Sequence, residues 1–151
     1  MAEYKKVRVL TEAQSAYLAG IVDGEGTITL TRKNKDAQRQ LAVTVSSTDR
    51  RLLEYILRIV GAGKITNKKM NRSNHSPAYT YQIFNRQALS LLKQTALFLQ
   101  TYKMDRARIA INGYLDVTPR NGKYSPEMLR AKEKFNNAFF AFSTPNAKRL
   151  E

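Results

Sequence analysis

Leu18-Ala19-Gly20-Ile21-Val22-Asp23-Gly24-Glu25-Gly26 places three glycines and two carboxylates in nine residues of a chain that is otherwise strongly basic. Upstream, Thr11 and Gln14 have the spacing of a capping box, in which each side chain satisfies a backbone N–H at the start of a helix. Tyr17, Leu18, Ile21 and Val22 continue close to the helical period, so a helix is predicted to run into the stretch and to end over Asp23-Gly24-Glu25-Gly26. Ala16, Gly20 and Gly24 recur every fourth residue, which leaves one helix face without side-chain bulk and open to close approach by another helix. Glu25 falls at the C-terminal end, beside carbonyls whose aligned dipoles attract cations. A carboxylate and carbonyl oxygens together suit a hard divalent ion. A plain helix stop with acidic surface residues fits the same stretch, since glycine after a helix is ordinary.

The 151 residues are enough for one domain that buries its own core, and the absence of cysteine excludes disulfides and thiolate metal sites. No N-terminal apolar run reads as a signal peptide and no stretch approaches a membrane span, so a soluble protein of a reducing, intracellular compartment is expected. The 26 Lys and Arg outnumber the 12 Asp and Glu, for a formal charge of +14 that favours polyanions through counterion release. The cations are spread along the chain, which points to a folded binding surface, although a ribosomal protein would share that charge. Residues 1–10, with Lys5, Lys6 and Arg8, read as a basic arm. No second copy of the opening stretch occurs, because Asp116 after Gly113-Tyr114-Leu115 lacks its glycines.

From Thr27 to Lys33 the chain alternates, with Ile28 and Leu30 on one face and Thr27, Thr29, Thr31 and Lys33 on the other. After a turn at Asn34-Lys35-Asp36, Gln38 to Val45 resumes, with Leu41, Val43 and Val45 inward and Gln38, Gln40, Ala42 and Thr44 outward. Asp49 is a suitable N-cap for a helix carrying Leu52, Leu53, Ile56, Leu57 and Val60, which Gly61 and Gly63 stop. A second hairpin pairs Lys64, Thr66 and Lys68 with a strand over Tyr79–Phe84, where Thr80 and Gln82 share the polar face. His75, the single histidine, lies in the polar loop between them and reads as solvated or as a phosphate contact. Three further helices follow: one from near Arg86 through Leu97, one over Met104–Leu115, and one opened by Pro126 and carrying Phe135 and the packing aromatics Phe139, Phe140 and Phe142. The result is an α+β fold in which helices cover one face of a four-stranded antiparallel sheet. The uncovered face offers Gln, which pairs bidentately with adenine, and Lys, which pairs with guanine, so it reads as a nucleic-acid surface.

Leu18 to Gly26 resembles the signature of the LAGLIDADG homing endonucleases, with Val22, Gly24 and Glu25 standing for that signature's Ile, Ala and Asp. Tyr17 before it and Thr27-Ile28 after it are similar too, and the remaining chain can be laid over the family's single-domain pattern nearly end to end. The resemblance implies an αββαββα fold with a saddle-shaped sheet, in one domain over residues 1–151. A single motif implies a homodimer, packed through Ala16, Gly20, Asp23 and Gly24. It further implies that Glu25 is the catalytic acid holding Mg²⁺, with Mn²⁺ as a substitute, and that the Gly24 carbonyl is a neighbouring ligand. Lys103 matches the active-site lysine near the scissile phosphate, and Ser47 with Arg50 or Arg51 matches the residues completing the pocket, where the family often has Gln in place of Ser47. The implied activity is hydrolysis of both strands of double-stranded DNA at a long palindromic or near-palindromic site. That site is read by Thr27, Thr29, Thr31, Lys33, Gln38, Gln40, Thr44, Lys64, Thr66, Lys68, Thr80 and Gln82. The alternative is an RNA maturase acting on intron RNA, or a non-cleaving nucleic-acid binder on the same fold. The compartment implied is a prokaryotic cytoplasm or nucleoid, or an organelle.

Overall fold

The capping box forms as its spacing requires: Thr11 Oγ1 accepts from the Gln14 N–H at 3.1 Å and Gln14 Oε1 accepts from the Thr11 N–H at 2.9 Å. In the computed structural model this starts α1 (Glu12–Glu25), and the structure described here covers residues 5–67 and 77–144. Lys68 and His75, singled out from the sequence, lie outside those residues. The chain continues through β1 (Gly26–Thr31), β2 (Gln40–Ser47), α2 (Arg50–Val60), β3 (Lys64–Asn67), β4 (Tyr79–Phe84) and α3 (Asn85–Thr95), the expected αββαββα order. Two more helices follow, α4 (Lys103–Gly113) and α5 (Pro126–Phe140), after single 3-10 turns at Ala96–Phe98 and Leu115–Val117. Pro126 opens α5 with Ser125 as its N-cap, and Asp49 caps α2 by accepting from the Arg51 N–H. Gly61 ends α2 in the left-handed conformation at φ 74°, where glycine carries no Cβ penalty.

The four strands form one antiparallel sheet in the order β1-β2-β4-β3. Its inner face carries Ile28, Leu30, Leu41, Val43, Val45, Tyr81 and Ile83, all buried beneath Leu18, Val22, Leu53, Ile56 and the apolar sides of α3 and α4. The other face is built in polar rungs. Thr27, Thr44, Gln82 and Lys64 align across all four strands, and Ser46, Thr80 and Thr66 form the rung beside them.

Several sequence expectations shift. β1 stops at Thr31 and β2 starts at Gln40, so Lys33 and Gln38 sit in the loop between them; Asn34 Oδ1 accepts from the Asp36 N–H at 3.0 Å and turns the chain before the ladder could extend. β2 runs on to Ser47, which puts Ser46 on the polar face with its hydroxyl 2.9 Å from that of Thr80. Ala42 faces outward yet is fully buried, because its methyl lies between Thr29 and Phe84 on the two flanking strands. Leu97, expected in the core, is 82% exposed, since the 3-10 turn breaks the helical period there. Residues 5–10 are no loose arm. The Arg8 N–H donates to Val60 O at 2.8 Å, Gln94 bonds both Arg8 O and the Leu10 N–H, and Leu10 is buried.

Lys132 on α5 is 1% exposed and forms no ion pair among the described residues. Its ammonium donates to Thr118 Oγ1 at 2.8 Å and stands 4.8 Å from the centre of the Tyr114 ring. Burial pushes its pKa down from 10.5 to about 8. Between those values the unfolded chain keeps the proton that the folded chain releases, so this group makes stability rise with pH from about 8 to 10.5 and adds no slope below 8. Urea titrations of the wild type and Lys132→Met should therefore differ by a constant amount below pH 8. Above it, the difference should shift toward the wild type by roughly 1–3 kcal/mol.

Candidate functional site

The helix α1 passes directly into β1 without a connecting loop. Gly26 makes this possible: a Cβ there would stand 2.7 Å from the Val22 Cα and 3.1 Å from Thr44 O. Glu25 is consequently exposed at the edge of the sheet, at one end of the polar rungs. An open cleft of about 530 Å³ lies beside it, lined by Glu25, Ser46, Ser47, Thr48, Leu52 and Ala78. Ser47 Oγ accepts from the Asp49 N–H at 3.0 Å, which leaves its own O–H free to donate. The Glu25 carboxylate enters no side-chain hydrogen bond or ion pair among the described residues, so its oxygens are available to a ligand. A carboxylate and hydroxyls are the donor types that hard divalent cations take. Among the described residues no three His, Cys, Asp or Glu side chains converge.

The end of α1 is pinned from two sides. The Asp23 carboxylate accepts from the Gln100 N–H at 2.8 Å, the Thr101 N–H at 3.2 Å and the Thr101 hydroxyl at 2.6 Å. In return, the Lys103 ammonium donates to Val22 O at 2.8 Å and Asp23 O at 2.9 Å. These last carbonyls of α1 carry the negative end of its dipole, which a cation offsets. Burial lowers the Lys103 pKa, while Asp23 and Glu25 oppose that shift. One turn further along α4, the buried Arg106 donates to Ile28 O at 2.9 Å and to Phe142 O at 2.7 Å, with its guanidinium against the rings of Tyr102, Phe139 and Phe140.

The structure thus brings Glu25, Ser47 and Lys103 to one corner of the fold. It does not bring the arginines there. Arg50 pairs with Glu54 at 3.0 Å and stacks on Tyr79, and Arg51 pairs with Asp49 at 3.4 Å in a separate cleft with Tyr17 and Tyr55. Both ion pairs lie on the surface of α2, and neither arginine lines the Glu25 cleft. Ala16, Gly20 and Gly24 are exposed, and a Cβ at Gly20 or Gly24 would meet nothing within 4 Å. Asp23, expected at the same contact face, gives its carboxylate to the α4 junction.

The profile of the family described as LAGLIDADG endonuclease matches residues 18–111, from the first residue of the opening motif to the last turn of α4. The chain belongs to the LAGLIDADG endonuclease family. Solved structures of homing endonucleases share its fold. I-CvuI, crystallised with its target in the presence of calcium, is 18% identical and superposes with a TM-score of 0.70 over 87% of this chain and 83% of that one. The archaeal intron-encoded I-Vdi141I, complexed with DNA, is 18% identical with a TM-score of 0.59 over 89% of this chain and 86% of its own. I-SmaMI, bound to uncleavable DNA, is 18% identical with a TM-score of 0.62; there 82% of this chain covers only 43% of a longer polypeptide.

Within this LAGLIDADG chain, sequence reasoning passed over Asp23 and Arg106 as supports of the site. One signal for Asp23 was available, because an acid in the last turn of a helix opposes the dipole and calls for donors from elsewhere. Arg106 carried no such mark among 26 cations. Asp23→Ala should lower stability by about 1–3 kcal/mol in denaturant titrations, since it strands two backbone N–H groups and a hydroxyl at the α4 junction. A purely superficial Asp23 would leave the midpoint unchanged.

Proposed function

We propose that this protein is a site-specific endonuclease of double-stranded DNA that acts with divalent metal ions as a homodimer. The observation carrying this reading is the continuity of one surface: the polar rungs of the open sheet end at the cleft holding the unengaged Glu25 carboxylate. A net charge of +14 supplies the attraction to a polyanion, and the relatives named above were crystallised with DNA.

In this reading Glu25, with the Gly24 carbonyl beside it, holds Mg²⁺, and Mn²⁺ would satisfy the same oxygen donors. The bound ion would supply Lewis-acid activation of water and charge neutralisation at the phosphate. Ser47 orients water in the cleft through its free O–H. Lys103 contributes a fixed positive charge behind Glu25 while it holds the α1 terminus. Thr27, Thr44, Gln82 and Lys64 face base edges in the major groove, with Thr29, Thr31, Gln40, Thr66 and Thr80 in the adjoining rungs. Gln40 already accepts from the Asn85 Nδ2 at 2.9 Å, so its amide is held with the NH₂ group free to donate.

The bare face of Ala16, Gly20 and Gly24 is assigned to a second copy of the chain, whose motif helix would bring a second Glu25 to a two-fold axis. Each sheet would then read half of a palindromic or near-palindromic site. Maturase activity on intron RNA rests on no further observation in the fold.

Two measurements test this. With the uninterrupted insertion site of its own genetic element and Mg²⁺, the purified protein should make double-strand breaks, and Glu25→Gln should cut at least 100-fold more slowly while binding is retained. Normal cleavage by that variant would remove Glu25 from its role. A Cβ at Gly20 meets nothing within 4 Å, so Gly20→Leu should hold or raise monomer stability by up to about 1 kcal/mol through helix propensity. In sedimentation it should abolish the dimer; a dimer that persisted would refute the assigned face.

A further inference from the structure

Phe84 stands in a place that neither the core nor the helix caps explain. It is the last residue of β4, on the same face as Thr80 and Gln82, and it pairs with Ala42, which in turn pairs with Thr29. It is half-buried, yet it is not among the partly buried apolar side chains that pack on the core. It is also the N-cap of α3 and makes no side-chain capping bond, at a position where Ser, Thr, Asp or Asn would stabilise the helix. An aromatic ring on the polar face therefore covers Ala42 but joins neither the core cluster nor the cap.

Thr29, Ala42 and Phe84 make a single apolar rung across β1, β2 and β4. Its neighbour toward Glu25 is the wholly polar rung Thr27, Thr44, Gln82 and Lys64, and its neighbour on the far side is the pair Thr31 and Gln40. Ala42 is fully buried between Thr29 and Phe84, so the apolar spot on the open face consists of the Thr29 methyl and the Phe84 ring. Arg86 and Arg120 line an open cleft of about 400 Å³ that Phe84 borders. In a major groove, the one apolar feature presented by a base edge is the 5-methyl group of thymine, which Ala, Thr and Phe contact.

We propose that Thr29 and Phe84, which close over the buried Ala42, form a thymine-reading element that packs against the 5-methyl group of one thymine in each half of the DNA site. This inference rests on the DNA-binding reading above. Neighbouring rungs on one face are about 7 Å apart along the strands, or roughly two base-pair steps. The thymine lies about two base pairs further from the dyad than the pair faced by Gln82.

The test uses the full chain without divalent metal and a random duplex library enriched by binding. Thymines of the best duplex are then replaced one at a time by deoxyuridine, which removes only the methyl group. One symmetric pair of positions should lose about fourfold in affinity per half-site, the effect of one buried methyl. Phe84→Ser should abolish that sensitivity while binding the uridine duplex as well as the thymine duplex, and Phe84→Leu should keep it. The serine variant is expected to fold, because it loses no core contact and gains a favoured N-cap. Uniform tolerance of deoxyuridine by the wild type, or an unchanged profile in Phe84→Ser, overturns the assignment and leaves DNA binding intact. Failure to enrich any duplex overturns the DNA-binding reading, and this inference with it.

Discussion

The double attachment at the end of α1 is the constraint on which the site depends. Asp23 gives its carboxylate to the start of the α4 segment, and Lys103 from that segment returns an ammonium to the α1 carbonyls. Each group answers an electrostatic fault in the other helix's terminus: unpaired N–H groups on one side, unpaired carbonyls on the other. Because Gly26 then sends the chain straight into β1, the same attachment sets the angle between helix and sheet. The position of Glu25 at the cleft and the orientation of the bare Gly20 and Gly24 face follow from that angle.

Much of this was readable from the residues because local chemistry left few alternatives. The Thr11 and Gln14 box, the Asp49 and Pro126 starts and the period-two strands all specify their own geometry. The polar face was legible through alternation alone, and the ladder register then sorted it into rungs. What is not legible locally depends on contacts distant in sequence. Nothing near Asp23 points to Thr101, 78 positions away, and nothing near Tyr114 announces that its hydroxyl accepts from the Leu41 N–H while donating to Asn85. Asn85 itself, at φ 53°, was invisible as a special position because its strain is local and its compensation is not. For the candidate site, the position of Glu25 at the helix end beside the sheet was legible. The placement of the arginines away from it was not, because their local acids Glu54 and Asp49 hold them on α2.

The placement of charge divides into two systems. Inside, Lys103, Arg106 and Lys132 are all buried and all satisfied by neutral oxygens or aromatic faces. At the surface, the only ion pairs among the described residues sit on α2. These three internal cations thus consume no carboxylates, and the chain as a whole carries a formal surplus of +14. Carbonyl dipoles are indifferent to ionic strength in a way that surface charges are not.

The alternation of the sheet also separates two evolutionary problems. Inward positions such as Val43 and Ile83 are fully buried, and truncating side chains of that kind removes about 1–5 kcal/mol. Positions such as Thr27, Thr44 and Gln82 face the open side, where exchanges fall mostly within about 0.5 kcal/mol. A lineage carrying this sheet can exchange its outward residues one by one without crossing a stability threshold, so the open face drifts at little cost to folding. Ala42 is the exception: enclosed by its neighbours, it holds its place for steric reasons even though it points outward. The scaffold is conservative on one side and free to explore on the other.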